Sequence, residues 1–277
     1  MTQRVSFATL CHELSHVLGT RDLYGLWNIT CHNNQYTLMS CTITNPDDMR
    51  SYHLDAWHKL QLGWIEPRIR SLSDGGIESI PAAQSLAADG PVILHDPARG
   101  PSEFFLVEYR SRTSPWGIEY EDSLPSEGLG VWHVVHDADK NLMDWANVGQ
   151  SVWLEGQPAL QRGQDTNLLW TANTTTPPLV WLNGTPSPTR IHVRPFNSGD
   201  GYLTFEWWTD AESWVDFANF GFENGSFANP YNTLAEGVAA AAYGGRLRVK
   251  AGSSREAITI SKRVSLEAFD GPVTVGR

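Results

Sequence analysis

The residues best suited to chemistry stand in one short stretch, CHELSHVLGTRDLYG, at positions 11–25. His12 and His16 are four residues apart, so a single helical turn brings both imidazoles to one face of a helix. Neutral imidazoles are good zinc ligands. Glu13 is displaced from the pair and can act as the general base toward a zinc-activated water. The stretch therefore predicts a zinc site that hydrolyses peptide bonds.

Two histidines leave such a site one ligand short. Gly19 follows three residues after His16 and can turn the chain through a left-handed conformation. That turn brings Asp22 back towards the metal, and a carboxylate is an acceptable zinc ligand. The spacing is similar to the metzincin pattern, with Asp in place of the final His, and Met39 in YTLMS stands where the pattern places a methionine turn beneath the metal. The competing interpretation is a helix with two solvated histidines.

Two helices are expected to position these residues. Apolar residues at three- and four-residue spacing predict a first helix ending near Gly19, with its apolar stripe in the core and both histidines on the opposite face. The stripe consists of Phe7, Leu10, Cys11, Leu14, Val17 and Leu18. A second helix is predicted to start near Asp47 or Asp48 and to end at Gly63.

Strand-like segments dominate the rest of the chain. The segments GPVILHD, EFFLVEYRS, GLGVWHVVHD, TRIHVRPF and GYLTFEWW fall between residues 66 and 208. After a boundary near residue 210, Thr233 and Glu236 are spaced as a capping box for a short helix. Short alternating strands follow and suggest the first coils of a parallel β-helix. The residues expected to face one way are Leu247 with Val249, Ile258 with Ile260, and Val264 with Leu266.

With HELSHVLGTRDLYG, YTLMS and LDAWHKLQLGW in view, the chain resembles the immune inhibitor A family of secreted bacterial zinc metalloproteases. EFFLVEYR and LPSEGLGVWHV are similar to that family's strand pair. The resemblance covers the chain to about residue 208 and implies a zinc endopeptidase. It implies His12, His16 and Asp22 as zinc ligands, Glu13 as the catalytic base and Met39 as the structural methionine.

Several alternatives stay open within this resemblance. Glu108 or His133 could supply the third ligand, with Asp22 then orienting a histidine. Tyr24 could stabilise an oxyanion, although a packing role competes. Loop aspartates such as Asp47 and Asp48 could hold structural calcium, but no calcium-loop pattern marks a specific site. Cys31 and Cys41 flank a loop and could form a disulfide in an oxidising compartment.

Together these patterns predict an α+β fold in three parts. Residues 1–65 are expected to form the zinc-helix lower half of a metzincin-like catalytic domain. Residues 66–208 continue it as a β-rich region, and residues 214–277 form a short β-helix-like module. The sheet that normally precedes the zinc helix is missing from the sequence, so we expect an N-terminally truncated chain that is inactive alone.

Charge and composition limit the partners. The net charge of −11 over 277 residues argues against a nucleic-acid partner, which requires a basic surface. No apolar run is long enough to span a membrane, and no signal peptide precedes the motif. The resemblance implies a secreted protease acting on a protein or peptide substrate, with cell-surface or polysaccharide contact through the C-terminal module.

A second function from a different class is a non-catalytic exported module that binds a surface polysaccharide and keeps a relic metal site. Tryptophans in the β-rich region could line a sugar-binding face, although most aromatic side chains serve packing. The candidates are Trp153, Trp170, Trp181, Trp207 and Trp208.

Overall fold

The computed structural model describes residues 7–20, 22–23, 36–39, 53–85, 90–113, 121, 124–135, 152–154, 169–209 and 212–276. Strands take 37% and helices 15% of this part of the chain. The predicted α+β class is therefore wrong. The chain is mostly β, with a β-solenoid arrangement over residues 68–275 in place of a zinc-helix metzincin domain. The α-helices are too short to form a layer of their own, because they contain 11, 6 and 7 residues.

The elements follow one another in a simple order. The helices are α1 (Phe7–Val17), α2 (Ala56–Gln61) and α3 (Leu234–Ala240), with a short 3-10 helix at Pro97–Ser102. The strands are β1 (Arg68–Ser71), β2 (Gly76–Pro81), β3 (Val92–His95), β4 (Glu103–Arg110), β5 (Gly128–Val135), β6 (Val152–Leu154), β7 (Thr189–Val193), β8 (Tyr202–Thr209), β9 (Glu212–Val215), β10 (Arg246–Ser254) and β11 (Ser265–Val275). None of the helices in the described residues is long and apolar enough to cross a membrane.

Two sheets form the body of the molecule. One has five strands in the order β1-β3-β4-β5-β6, antiparallel except for the parallel pair β1 and β3. The other is the antiparallel sheet β2-β8-β7. All five strand segments predicted between residues 66 and 208 are confirmed, as β3, β4, β5, β7 and β8. β1, β2 and β6 were not predicted, because they are short and lack a clear alternation of apolar residues.

The central strand β4 is buried on both faces, and its alternation divides the core. Phe105, Val107 and Tyr109 point into a cluster shared with the β2-β8-β7 sheet. Phe104 and Leu106 point the other way, into a cluster shared with α2 and residues 36–39. Because side chains alternate along a strand, Glu108 and Arg110 continue this second face toward the N-terminal elements.

Helix α1 faces the opposite way from the prediction. Its buried side chains are Ala8, His12 and Ser15, and Cys11 packs partly against the second cluster. The remaining members of the apolar stripe are exposed, namely Phe7, Leu10, Leu14, Val17 and Leu18, at 49–81% of their surface. A hydrogen bond between His12 and the backbone of Leu38 turns the histidine face inward.

Helix α2 is shorter than predicted. It begins at Ala56, because the carboxylate of Asp55 accepts the His58 backbone N–H and caps the helix. Residues 53–55 are not helical, so the earlier predicted start is wrong there, and Asp47 and Asp48 lie outside the described residues. The predicted end is confirmed, because Gly63 adopts φ +70° just after the last turn.

The tail, residues 212–276, is a regular parallel ladder. Strand β10 pairs with both β9 and β11 in parallel, which confirms the β-helix character of this segment. The side chain of Thr233 caps α3 by accepting the Glu236 N–H, as the capping box predicted. Leu247 and Val249 are buried in a small third cluster. The strand predicted at residues 257–262 does not form, although Ile258 packs against the cluster.

Candidate metal centre

The turn after α1 brings the third candidate ligand back to the histidines. Gly19 adopts φ +101°, a conformation that glycine reaches without a Cβ clash. The Gly19 N–H donates to His16 O at 3.0 Å and the Thr20 N–H donates to Ser15 O at 3.2 Å. This pair of bonds is the Schellman motif that ends many helices. The chain reverses there, and Asp22 returns beside the last turn of α1.

His12, His16 and Asp22 form a compact donor set whose ligand atoms all lie within 4.8 Å of one another. Asp22 Oδ1 is 3.1 Å from His12 Nε2 and 3.4 Å from His16 Nε2. Ligands held about 2.0–2.1 Å from a tetrahedral zinc are separated by about 3.3 Å. Two of the three separations thus already fit a zinc ion. The set also has the chemistry of zinc sites, with two imidazoles and one carboxylate.

Backbone carbonyls fix both imidazoles with Nε2 turned toward Asp22. His12 Nδ1 donates to Leu38 O at 2.8 Å, and His16 Nδ1 donates to Thr20 O at 3.0 Å. A carbonyl can only accept, so each Nδ1 carries the proton, and in the resulting neutral tautomer Nε2 is the nitrogen with a lone pair that can coordinate a metal. Such outer partners orient the histidines of metal sites and select their tautomer.

The same contacts shape the titration of His12. Burial by itself lowers the imidazole pKa, but the Asp22 carboxylate and the Leu38 carbonyl outweigh it, and the pKa of His12 is raised. His12 is 5% exposed, while His16 is partly exposed at the mouth of the site. The carboxylate thus favours a positive charge at this position, which a metal ion or a proton can supply.

Residues 36–39, here called the support segment, form the floor beneath His12. Met39 is fully buried, its carbonyl accepts the Leu23 N–H at 2.9 Å, and its sulfur accepts the Thr20 hydroxyl at 3.5 Å. Met39, predicted as the structural methionine, thus contacts Thr20 just after α1 and packs in the second cluster with residues of β4 and β5. Thr37 fixes the segment from below, because its hydroxyl donates to Asp55 Oδ2 at 2.5 Å and accepts the Met39 N–H at 3.2 Å.

A buried ion network ties the support segment to the sheet. Arg110, with no exposed surface, donates from Nη1 to Tyr36 O at 2.6 Å and to Glu108 Oε1 at 3.2 Å. Its other nitrogens bind both carboxylate oxygens of Glu121. Glu121 in turn accepts the backbone N–H of His53 at 3.0 Å. The guanidinium therefore connects β4 to the backbone that carries Leu38.

The pKa values of the two carboxylates that contact Arg110 shift in opposite directions. Burial raises the pKa of Glu108, and the opposing effect of Arg110 does not cancel it. Burial also acts to raise the pKa of Glu121, but the bidentate contact with Arg110 outweighs it and the pKa is lowered. Glu121 is thus the carboxylate that balances the buried guanidinium.

The structure does not bring Glu108 or His133 to the histidine pair. Glu108 accepts from Arg110 and from Trp132 Nε1 at 2.7 Å. His133 shares the face of β5 that points into the first cluster, where its ring stacks on Phe105 at 4.5 Å and its Nε2 bonds Glu103 Oε1 at 2.8 Å. Both engage in the sheet, so of the three candidates for the third ligand only Asp22 lies beside the imidazoles. Tyr24, Cys31 and Cys41 lie outside the described residues.

Glu13 is exposed on α1, next to His12 in sequence and close enough for its charge to raise the pKa of that histidine. Its carboxylate faces solvent rather than the core. That position is open to an incoming substrate and to water.

Sequence reasoning missed the residues that hold the site from a distance, which are Thr37, Leu38, Asp55 and Arg110. Arg110 carried a usable signal, because a charged residue that continues the apolar strand EFFLVEYR is expected to be buried and therefore paired. Leu38 carried none, because it acts through its backbone carbonyl.

The tryptophans considered for a sugar-binding face are mostly internal. Trp170, Trp181 and Trp207 are 2–3% exposed and belong to the first cluster. Trp208 is partly exposed and packs under the guanidinium of Arg263 at 4.9 Å. The side chain of Trp153 lies outside the described part of the chain.

Comparisons with known proteins add no further assignment to this geometry. No protein-family model, no curated protein and no solved structure matches the chain.

Proposed function

We propose that the chain is a zinc-dependent endopeptidase whose zinc ligands are His12, His16 and Asp22. The observation that carries the proposal is the donor set itself, with Asp22 Oδ1 at 3.1 and 3.4 Å from the two Nε2 atoms. The Nδ1 bonds to Leu38 and Thr20 support it, because they leave both Nε2 atoms ready to coordinate.

Each group at the site has a distinct proposed role. A zinc ion would supply Lewis-acid chemistry, since it polarises a carbonyl oxygen and acidifies water. Glu13 lies one residue from His12 on the exposed side of α1, where its carboxylate can take a proton from an attacking water. The support segment keeps His12 oriented. The choice of a peptide substrate follows from the resemblance of the motifs to immune inhibitor A proteases.

Zinc titration of the full chain tests the donor set. We expect about one zinc per chain, at least tenfold weaker binding after Asp22→Ala, and larger losses after His12→Ala. His192→Ala is a matched control, because His192 lies on β7 and bonds Thr175 instead. Equal zinc affinity in the Asp22 and His192 variants would contradict the proposed ligand set.

Glu13→Ala separates catalysis from metal binding. We expect this variant, made in the protein as the cell expresses it, to keep its zinc and to lose hydrolysis of a denatured protein substrate. Hydrolysis that survives in Glu13→Ala rejects this residue as the base. A cell-expressed protein that takes up zinc but cleaves no protein or peptide instead supports the non-catalytic alternative with a relic metal site.

A further inference from the structure

A cavity of about 200 Å³, here called the junction pocket, lies where the body of the molecule meets the tail. Trp208 of β8 lines it from the body, and Gly244, Arg246 and Ser265 line it from the tail. Pockets that hold drug-sized ligands measure about 300–1,000 Å³. The junction pocket is smaller than these and therefore suits a ligand unit of one ring.

Backbone contacts fix the tail side of the junction pocket. The Gly244 N–H donates to Arg263 O at 2.6 Å, and the Ser265 N–H donates to Gly245 O at 2.9 Å. A Cβ on Gly244 would clash with the Cβ of Trp208, so only glycine lets the backbone approach this close. The position of the indole relative to the tail is thus set by the fold, before any ligand arrives.

Three guanidinium groups lie around the indole of Trp208. That of Arg263 lies over the ring, 4.9 Å from its centroid. Arg190 on β7 is the cross-strand partner of Trp208, and Arg246 lines the pocket beside it. The side chains of Arg246 and Arg263 are 45% and 51% exposed. Because the N–H groups of a guanidinium form a fork that matches a carboxylate, this arrangement favours an anionic ligand.

Glutamates pair with these arginines without neutralising them. The ion pairs are those of Glu206 with Arg194 and Arg263, and those of Glu212 and Glu267, each with Arg246 and Arg248. Four arginines against three glutamates leave a net charge of +1 on this group of side chains, in a chain whose net charge is −11. A ligand unit with one negative charge matches that excess, whereas a phosphate with about two charges would meet three carboxylates.

The mixture of charges also suits a ligand with several hydroxyl groups. A hydroxyl both donates and accepts, so one hydroxyl can accept from a guanidinium while its neighbour donates to a carboxylate. The Ser265 hydroxyl can do either. The indole adds an apolar surface with a polar edge, against which the C–H face of a sugar ring can pack. One carboxylate, several hydroxyls and an apolar ring face occur together in a uronate, a sugar that carries a carboxylate.

From these observations we propose that the junction pocket binds a uronate unit of an acidic glycan. Arg246 and Arg263 bind the carboxylate, Trp208 packs on the sugar ring, and Ser265 bonds a hydroxyl. The proposal does not depend on the metal centre or on peptide hydrolysis.

Labelled oligosaccharides that contain galacturonate, mannuronate or glucuronate are the probes, and fluorescence anisotropy with the protein as the cell expresses it measures their binding. We expect at least one of them to bind, with an affinity that weakens with salt. Its methyl ester keeps the ring and the hydroxyls but loses the charge, and should bind about tenfold more weakly. No binding of any uronate, or equal binding of acid and ester, overturns the proposal. An oligoglutamate peptide of the same charge that binds as tightly would identify an acidic peptide as the ligand and overturn it as well.

Two arginine variants locate the site. Arg246→Ala and Arg248→Ala each remove one positive charge that pairs with both Glu212 and Glu267. Only Arg246 lines the junction pocket, because the guanidinium of Arg248 lies over Trp214, at 5.4 Å. We expect uronate binding to weaken about tenfold in Arg246→Ala and less than about twofold in Arg248→Ala. Equal losses in the two variants would assign binding to overall charge and overturn the proposal.

Trp208→Ala tests the aromatic wall of the pocket. We expect it to weaken uronate binding about tenfold or more, whereas Trp208→Phe keeps a ring and should bind within about threefold of the unchanged protein. Unchanged binding in Trp208→Ala also overturns the proposal. Thermal unfolding shows which variants are folded, and if Trp208→Ala is not, the arginine pair still decides.

Discussion

The two ends of the molecule hold their important residues in different ways. At the N-terminus, α1, the support segment and α2 depend on hydrogen bonds to residues far along the chain, such as Arg110 to Tyr36 and Tyr36 to Ser126. The tail depends on neighbouring strands in register, with Leu247 and Val249 repeating at every second position. One region is fixed by a few buried polar contacts and the other by repetition.

Because of this difference, we expect the two regions to tolerate substitutions differently. A ladder can lose one side chain and keep its backbone order, because each strand makes many equivalent bonds. The support segment has no such redundancy, because single atoms of Leu38, Thr37 and Arg110 determine where His12 points. We therefore expect single substitutions to damage the candidate metal centre more severely than the tail.

The largest contrast should come from two arginines. Arg110→Ala leaves Glu108 and Glu121 buried without their cation, and breaking a buried pair in this way costs about 3–5 kcal/mol. Arg246→Ala removes exposed pairs with Glu212 and Glu267, which are worth about 0–1 kcal/mol. Urea unfolding measures both. Hydrogen exchange should locate the loss in Arg110→Ala to residues 36–39 and α1, with protection of β10 retained. Equal losses for the two arginines would remove the contrast.

Acid should weaken the N-terminal region before the tail. Burial, reinforced by Lys59 and Arg110 and opposed by Glu121, lowers the pKa of His53 from 6.5 to about 4. Between these two pH values His53 therefore binds a proton in the unfolded chain but not in the folded chain. Its contribution to the free energy of unfolding is complete above pH 6.5 and decreases as the pH falls to 4. The loss amounts to about 3 kcal/mol.

Urea midpoints between pH 4 and 7 test this expectation, with His53→Gln as the control that should flatten the profile. The tail, residues 212–276, contains no histidine. Its hydrogen exchange, corrected for the intrinsic pH dependence, should stay constant over the upper part of the range. An unchanged profile in His53→Gln would assign the acid sensitivity to another group.

The smallest expected effect is the most specific one. Thr37→Val deletes the hydroxyl that joins Asp55 to the Met39 N–H, and we expect zinc affinity to fall about tenfold because the support of His12 loosens. Thr37→Ser keeps the hydroxyl and should restore it. Zinc affinity of the folded variants, with the visible spectrum of bound Co²⁺, distinguishes a displaced ligand from a general loss of stability. Equal zinc affinity in the Val and Ser variants would show that the support segment does not position His12.

Local patterns predicted the local structure. Gly19 marked the end of α1, Thr233 marked the start of α3, and the apolar segment at residues 103–111 became β4. In each case the deciding contact lies within a few residues or within one repeating face. These features depend on backbone preferences that the sequence displays directly.

Long-range contacts produced the errors. The stripe of Phe7 and Leu14 predicted that this face of α1 packs inward. Instead, the hydrogen bond from His12 to Leu38, 26 residues away, holds the His12 side of the helix against the core and leaves the stripe exposed. The start of α2 was misplaced because Asp55 serves at once as helix cap, partner of Thr37 and partner of His58. The α+β class failed for a related reason, since the helices were expected to be longer than they are.

The reversal at Gly19 also has a kinetic consequence. All three candidate ligands fall between residues 12 and 22, so the loop that joins them is short and closing it costs only about 2 kcal/mol of chain entropy. Loops of about ten residues close in about 10–100 ns, far faster than sheets with distant strand partners assemble. If zinc binds as proposed, we expect it to meet the three candidate ligands while β4 and β5 are still unpaired, and the Schellman turn to form early in folding.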